Sequence, residues 1–297
     1  MNKKKQVCTC IISILLTGAL FTACSQAQSP PTADTKGKIV FFDDFSTPEL
    51  DRSKWNAEVT GIHVNNELQA YVDSSATIYM KNDIEGAKNG ALVLQAISSP
   101  NFKTSDGRNF NFISGRINTK NKFDFTYGTA EARIKVTEGA GLWPAWWLLG
   151  NDMWPETGEI DIMEYVGEKD WVSAAVHGPG YSGETPFVNR QYFDANNPAT
   201  EWHIYAVDWT PDSLLFKYDG KLMFRVNRKM VEHYGKWVFD TKKYLILNYA
   251  LGGAYPVKLN GAKAPYFGMP ESTLNLVKNN HAKMIVDWVR VSKNEGK

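Results

Sequence analysis

Glu159, Asp161 and Glu164 lie within six residues, interleaved with Ile160, Ile162 and Met163 and followed by Tyr165. The β-favouring apolar residues between them predict a strand. Side chains alternate faces along a strand, so Glu159 and Asp161 share one face. Glu164 lies five residues beyond Glu159, an odd step that would send it to the other face. If that face is the core, an unpaired carboxylate would be buried at high cost. One extra residue, a β-bulge at Ile162-Met163, restores the parity and re-aims Glu164 beside the other two. Two carboxyls about 5–5.5 Å apart can cleave a glycosidic bond with retention, one as nucleophile and one as acid then base. The third would share a proton or hydrogen bond with the nucleophile. Crowding raises at least one pKa, which keeps an acid protonated near neutrality. Two other readings compete. The acids could be solvated at a strand edge, or they could hold a metal. Against the metal, no His or Cys adjoins them along the chain, and hard-cation loops usually carry a sharp glycine turn.

Tryptophans crowd the residues just upstream. Gly141-Leu142-Trp143-Pro144-Ala145-Trp146-Trp147 is followed by Trp154-Pro155. A sugar ring has an apolar face that stacks on an indole, while its hydroxyls seek polar side chains. Strand parity places Trp143 and Trp147 on one face, assigned to a cleft, and Trp146 on the other, assigned to the core. Each of these rings could equally be core.

The elements that must position these residues read as strands. Short apolar or alternating runs recur at Ile39–Phe42, Ala91–Ala96, Ala130–Val136, Trp143–Leu149, Ile160–Tyr165, Val172–His177, His203–Trp209, Leu214–Tyr218, Tyr244–Leu251 and Met284–Val291. Gly, Asn, Asp and Pro separate them, which predicts an all-β sandwich or barrel. Helix is expected to be minor, near Pro48–Lys54 or Asp240–Lys243. No internal repeat or second linker breaks the body, so residues 38–297 are read as one domain. A hydrophobic content of 43% in 297 residues supplies a core and excludes a disordered chain. Lys+Arg of 33 against Asp+Glu of 32 gives no electrostatic reason to bind nucleic acid. The aromatic fraction of 13% suits flat apolar ligands as well as a core.

The first residues read as an address. Lys3, Lys4 and Lys5 precede an apolar stretch from Val7 to Ala23, a secretory signal layout. Phe21-Thr22-Ala23-Cys24 resembles the bacterial lipoprotein cleavage box, with Phe21 where Leu is usual. This implies removal of residues 1–23 and acylation of Cys24. The rival is cleavage after Ala27, giving a secreted protein. Cys8, Cys10 and Cys24 are the only cysteines, so the exported body has no disulfide. Two or three acyl chains suffice for stable anchoring. Residues 24–37 read as a flexible tether. Ser25 after the Cys points to the outer membrane of a Gram-negative cell.

The body resembles glycoside hydrolase family 16, and within it the bacterial laminarinases, endo-1,3-β-glucanases. Glu159–Glu164 carries the likeness, with Trp154-Pro155 before it and Tyr165-Val166-Gly167 after it. Further matching segments are Asn65-Asn66-Glu67-Leu68-Gln69, Ser114-Gly115-Arg116-Ile117, His177-Gly178-Pro179-Gly180-Tyr181, Val207-Asp208-Trp209 and Asp287-Trp288-Val289-Arg290-Val291. The resemblance implies a β-jelly roll of two curved antiparallel sheets with a concave cleft. It implies Glu159 as nucleophile, Glu164 as acid/base and Asp161 as the group that tunes them. The extra Met163 matches the bulged, laminarinase form of the motif.

Asn65, Asn66 and Arg116 would bond sugar hydroxyls, with Arg116 equally suited to a structural ion pair. Trp143, Trp147 and Trp154 would stack on or border the sugars. His177 would sit near the acid/base, on the strand beside the acids. After Gly252-Gly253 the pattern usually has Asn-Trp-Pro-Gly; here Ala254-Tyr255-Pro256-Val257 replaces it, and a sugar-facing Trp becomes Tyr255 or is lost. No cofactor is expected for catalysis. A structural calcium is implied at Asp287 and at main-chain oxygens near Asp44 and Gly90. The expected partner is a β-glucan bound by a monomer. A mixed-linkage 1,3-1,4-glucan and a non-catalytic glucan-binding role are the competing readings, and the complete acid set favours an enzyme.

Overall fold

In the computed structural model, residues 37–61 and 64–293 are described. The signal stretch, Cys24 and nearly all of the tether lie outside the described residues.

In chain order the strands are β1 (Lys38–Asp43), β2 (Asn56–Ala57), β3 (Gln69–Tyr71), β4 (Ile78–Lys81), β5 (Ala91–Gln95), β6 (Ile97–Lys103), β7 (Asn109–Ser114), β8 (Arg116–Asn118) and β9 (Gly128–Val136). They continue as β10 (Leu142–Gly150), β11 (Glu159–Glu164), β12 (Trp171–His177), β13 (Phe187–Tyr192), β14 (His203–Trp209), β15 (Ser213–Tyr218), β16 (Lys221–Asn227), β17 (Lys243–Leu251) and β18 (Lys283–Lys293). Two antiparallel sheets face each other as a jelly-roll sandwich. One runs β16-β15-β14-β9-β18-β5-β4, with β1 also paired to β18, and the other runs β13-β12-β11-β10-β17-β8-β2. A small third sheet, β3-β7-β6, contains a parallel pair between β3 and β7.

All ten runs read from the sequence form strands. Eight further strands have weaker patterns. Of these β2, β4, β13 and β16 are sheet edges. An edge strand faces solvent on more sides and carries charged and polar residues, which blurs the alternation. The helices lie elsewhere than expected. Pro48–Lys54 is bends and turns, and Asp240–Lys243 is a turn leading into β17. The helices are α1 (Arg228–Glu232), α2 (Ala254–Asn260) and α3 (Glu271–Lys278). In α3 the buried residues are Thr273, Leu274 and Val277, spaced to fall on one helical face.

The core lies between the two main sheets. The acidic strand contributes Ile160, Ile162 and Met163, all fully buried, and Trp146 of β10 packs in the same cluster. Opposite them stand Tyr205, Val207 and Trp209 of β14, and Leu214 and Phe216 of β15. The bulge forms where parity requires it. Asp161 pairs with Ala175 and Glu164 with Ser173, so Ile162 and Met163 of β11 stand against Ala174 alone on β12. Against β10, Met163 pairs with Trp146 and Asp161 with Trp147, leaving Ile162 as the extra residue.

A bulge frees backbone polar groups, and a buried orphan is costly. Here Tyr218 crosses from the opposite sheet. Its hydroxyl donates towards the Ile162 carbonyl at 2.8 Å and lies 3.1 Å from the Ser173 carbonyl. Tyr218→Phe is expected to cost about 1–3 kcal/mol, because it strands buried acceptors without opening a large cavity. Urea unfolding checks this, with a lowered midpoint at unchanged slope as the expected result.

Candidate active site

Cross-strand pairs share a face, so the register lays out the surface around the acids as rows. The first row is His177–Glu159–Leu149–Tyr244. The second is Val188–Ala175–Asp161–Trp147–Ile246–Asn118–Asn56, and the third is Arg190–Ser173–Glu164–Ala145–Asn248–Arg116. Glu159, Asp161 and Glu164 therefore stand on one face at the centre of the sheet. The apolar residues between them turn into the core.

Each acid has a positioned partner. Trp154 Nε1 donates to Glu159 Oε2 at 2.8 Å, and Trp143 Nε1 donates to Glu164 Oε1 at 3.1 Å. Asp161 hydrogen-bonds Glu159. Its Oδ2 also lies 3.3 Å from His177 Nε2. Among the described residues, Asp161 Oδ2 and His177 Nδ1 are buried without a well-aligned hydrogen-bond partner. A group left in this state is poised for a proton or a ligand. Burial pushes Glu159 up to about 8, and the neighbouring Asp161 charge adds to the rise. Asp161 is driven well above the usual carboxylate range by burial and then by Glu164. Glu164 rises to about 7 through burial, offset by His177 and the Trp143 hydrogen bond. Three like charges cannot coexist in so small a dry volume, so protons are retained there near neutrality.

The segment entering the acid strand is held firmly. Lys243 is fully buried and its Nζ donates to the Thr157 carbonyl at 2.7 Å and the Val238 carbonyl at 3.2 Å. Burial lowers its pKa to about 8. Gly158 has φ +69°, and a Cβ there would lie 2.8 Å from Val238 Cγ2. Glycine alone suits both the conformation and the contact.

The tryptophans divide as their parity predicts, with one change of role. Trp146 is core. Trp147 is half-buried on the acidic face and donates to Asn248 Oδ1 at 2.7 Å. Trp154 is 45% exposed beside Glu159 and offers an open indole. Trp143 lies on the acidic face but is only 9% exposed. It packs with Val166, Trp171 and Ala250 under Tyr255, so it orients Glu164 instead of presenting a stacking surface. Tyr255 is likewise a packed residue here: its ring meets Trp143 edge to face at 5.5 Å and its hydroxyl lies 3.1 Å from Ser173 Oγ.

Arg116 makes the ion pair considered for it. Its Nε lies 2.8 Å from Glu58 Oε2, and its guanidinium stacks over Trp147 at 5.0 Å. With Asn56, Glu58, Asn118, Lys120 and Tyr244 it lines a cavity of about 480 Å³ at the β8–β2 side of the acidic face. Asn65 and Asn66 are exposed, in left-handed conformations with φ 54° and 57°. Asn65 hydrogen-bonds Glu67. Glu67 accepts from Gln69 Nε2 at 2.8 Å, and the Tyr71 hydroxyl, 3.4 Å away, in turn receives a hydrogen bond from Asn248 Nδ2. Glu58, Asn118 and Tyr244 were not singled out from the sequence. They lie far from the acids along the chain, and only the strand register brings them to the same face.

Two metal expectations change. His177 does adjoin the acids, because β12 places it opposite Glu159, two rows away from Glu164. Glu159, Asp161 and His177 each bring a ligand atom to within 4.8 Å of one another, so this group could hold a cation. The calcium implied at Asp44, Gly90 and Asp287 fits poorly. The three segments do come together, since a Cβ on Gly90 would lie 2.9 Å from the Phe45 carbonyl. Yet both Asp287 oxygens are engaged, one by the Lys88 amide at 3.0 Å and one by Arg133 at 2.6 Å. The Asp44 carboxylate accepts from Ser46 and Asn89. The Arg133 guanidinium is already the cation at that site.

Comparisons with known proteins agree with this geometry. The profile of Glycosyl hydrolases family 16 matches residues 55–254. Glucan endo-1,3-beta-glucosidase A1 of Niallia circulans is 31% identical over 283 residues, covering 86% of this chain but only 38% of that protein. The beta-glucanase of Rhodothermus marinus is 31% identical, covering 86% of this chain and 84% of its own length. The X-ray structure of endo-beta-1,3-glucanase from Pyrococcus furiosus superposes with a TM-score of 0.74 at 32% identity, covering 86% of this chain and 94% of that one. Matched in sequence, in sandwich topology and in the length of the fold, the chain belongs to family 16 of the glycosyl hydrolases.

Proposed function

We propose that the protein is a retaining endo-glucanase that cleaves 1,3-linked β-glucans of the laminarin type. The observation that carries this reading is the bulge at Ile162, which puts Glu164 on the same face as Glu159 and Asp161. In the proposed reaction Glu159 attacks the anomeric carbon while Glu164 protonates the leaving oxygen. Glu164 then removes a proton from the water that releases the sugar. Asp161 hydrogen-bonds Glu159 and shares a proton with it, and attack proceeds from the form in which Glu159 is ionised. His177 Nε2 lies 3.3 Å from the far oxygen of Asp161. The chemistry needs no cofactor. The names of the relatives support the 1,3-linkage, and the cavity beside Arg116 and Asn118 supplies polar groups for sugar hydroxyls. The exposed indole of Trp154 supplies a stacking face.

We propose further that Cys24 is acylated and tethers this domain to the cell envelope. Cys24→Ala is expected to move the protein from the membrane fraction to the soluble fraction with activity intact. Mature native protein beginning at Gln28 without lipid would overturn the anchor.

The roles of the acids are tested by stereochemistry. Glu159→Ser should abolish hydrolysis, and azide should then give a glycosyl azide of inverted configuration. Glu164→Ala with an activated leaving group should give, with azide, the retained product. An NMR time course of the wild type should show a first product of retained configuration. Activity should fall as pH rises past about 7, where Glu164 loses its proton.

The same burial has a cost in stability. The native state holds protons on Glu159 that the unfolded chain releases above its ordinary pKa of 4.5. Its contribution is therefore complete below that pH and is lost as pH rises towards about 8. Glu159→Gln should stabilise the protein at pH 8 by about 0.5–2 kcal/mol, and by less at pH 5. Thermal melts of both proteins across that range check the sign; a difference that does not grow with pH would contradict it.

A further inference from the structure

Helix α2 leaves β17 at the Glu164 end of the acid strand β11 and lies on the acidic face. The Tyr255 contacts with Trp143 and Ser173 carry it over β10 and β11 to β12. One turn on, Lys258 forms an ion pair with Glu184. Glu184 belongs to the connection from β12 to β13, which begins beyond His177 at the Glu159 end of β11. The pair thus links the two ends of the acid strand across the β12–β13 side of the face. That is the side opposite the cavity lined by Arg116 and Asn118.

Both supports of this link are fixed, and its middle is not. The base of the β12–β13 connection is held by a Gly178–Tyr181 bridge and by the Tyr181 hydroxyl on the Lys236 carbonyl at 2.8 Å. The start of α2 is tied by the Ala254 amide to the Asn65 carbonyl at 2.7 Å. Between them the Lys258 and Glu184 side chains are 48% and 75% exposed. An ion pair so exposed is weak and screened by salt, so it opens readily.

We propose that Lys258 and Glu184 form a strap over the β12–β13 side of the cleft, which disfavours the interior of a long glucan relative to a short oligosaccharide. The inference rests on the glucanase reading above. A short chain enters under the strap from its end. A long polymer can lie across the face only when the pair is broken. The preference is therefore set by two residues that touch neither the acids nor the Arg116 cavity.

The test compares kcat/KM for polymeric laminarin and for a short 1,3-β-glucan oligosaccharide. Lys258→Gln and Glu184→Gln should each raise the polymer-to-oligosaccharide ratio by about two- to fivefold. The exchanged double variant, Lys258→Glu with Glu184→Lys, should return it to the wild-type value. High salt should raise the ratio in the wild type but not in the single variants. An active wild type whose ratio does not move in the single variants overturns the strap alone, as does a double variant that stays raised. A wild type inactive on both glucans overturns the glucanase reading and the strap with it.

Discussion

The site depends on one extra residue. Without Ile162 in excess, Glu164 would point into the core, the side on which Trp146 and Tyr218 pack. With it, the strand bends and three acids meet the solvent side of one sheet. The bend leaves a carbonyl facing the core, and the Tyr218 hydroxyl from the opposite sheet answers it. Because the same hydroxyl lies by the Ser173 carbonyl, one buried side chain registers β11 and β12 against each other just where Glu164 and Ser173 pair. A site built on a strand interior and backed by a packed core is held more tightly than one on loops. The chemistry thus inherits its precision from the sandwich.

That precision serves an unfavourable charge arrangement. Three carboxyls sit in a place dry enough to raise all of them, and the protein answers with N–H donors. Two indoles, Trp154 and Trp143, each bond one of the flanking glutamates. An indole donates without carrying charge, so it holds a carboxylate in place while leaving its proton affinity high. An arginine in either position would pull the glutamate down towards its ordinary range and remove the acid needed near neutrality. The arginine that is present, Arg116, is kept apart on Glu58 and stacked over Trp147. Local strain in charge is tolerated because the surrounding sheets over-determine the geometry.

Much of this was legible from residue order. The period-two pattern located the strands that line the core, and the odd step from Glu159 to Glu164 demanded a bulge at Ile162-Met163. Parity separated Trp146 from Trp143 and Trp147. What parity could not reveal is which element lies above a face. Trp143 is on the acidic side yet covered, because α2 folds over it from a segment whose sequence showed no helical period. Glu58, Asn118 and Tyr244 were also hidden, since nothing along the chain links them to the acids. His177 was placed on the right strand, but its partner in the row required the register. Asp287 looked like a metal ligand until Arg133, distant by 154 positions, was seen to occupy it.

The departure at Ala254-Tyr255-Pro256-Val257 shows how a local change can act at a distance. Gly253 has φ +99°, a conformation that favours glycine. The four residues then wind into α2, with Pro256 in the first turn, where its missing N–H costs nothing. Winding shortens the rise to about 1.5 Å per residue, so the segment stays over the face and does not run past it. Tyr255, at the start, closes over Trp143 and so dries the pocket of Glu164. Lys258, three residues later and most of a turn round, points outward to Glu184. One short helix therefore couples the proton affinity of the acid to the openness of the cleft beside it, and a change in its winding would be felt in both.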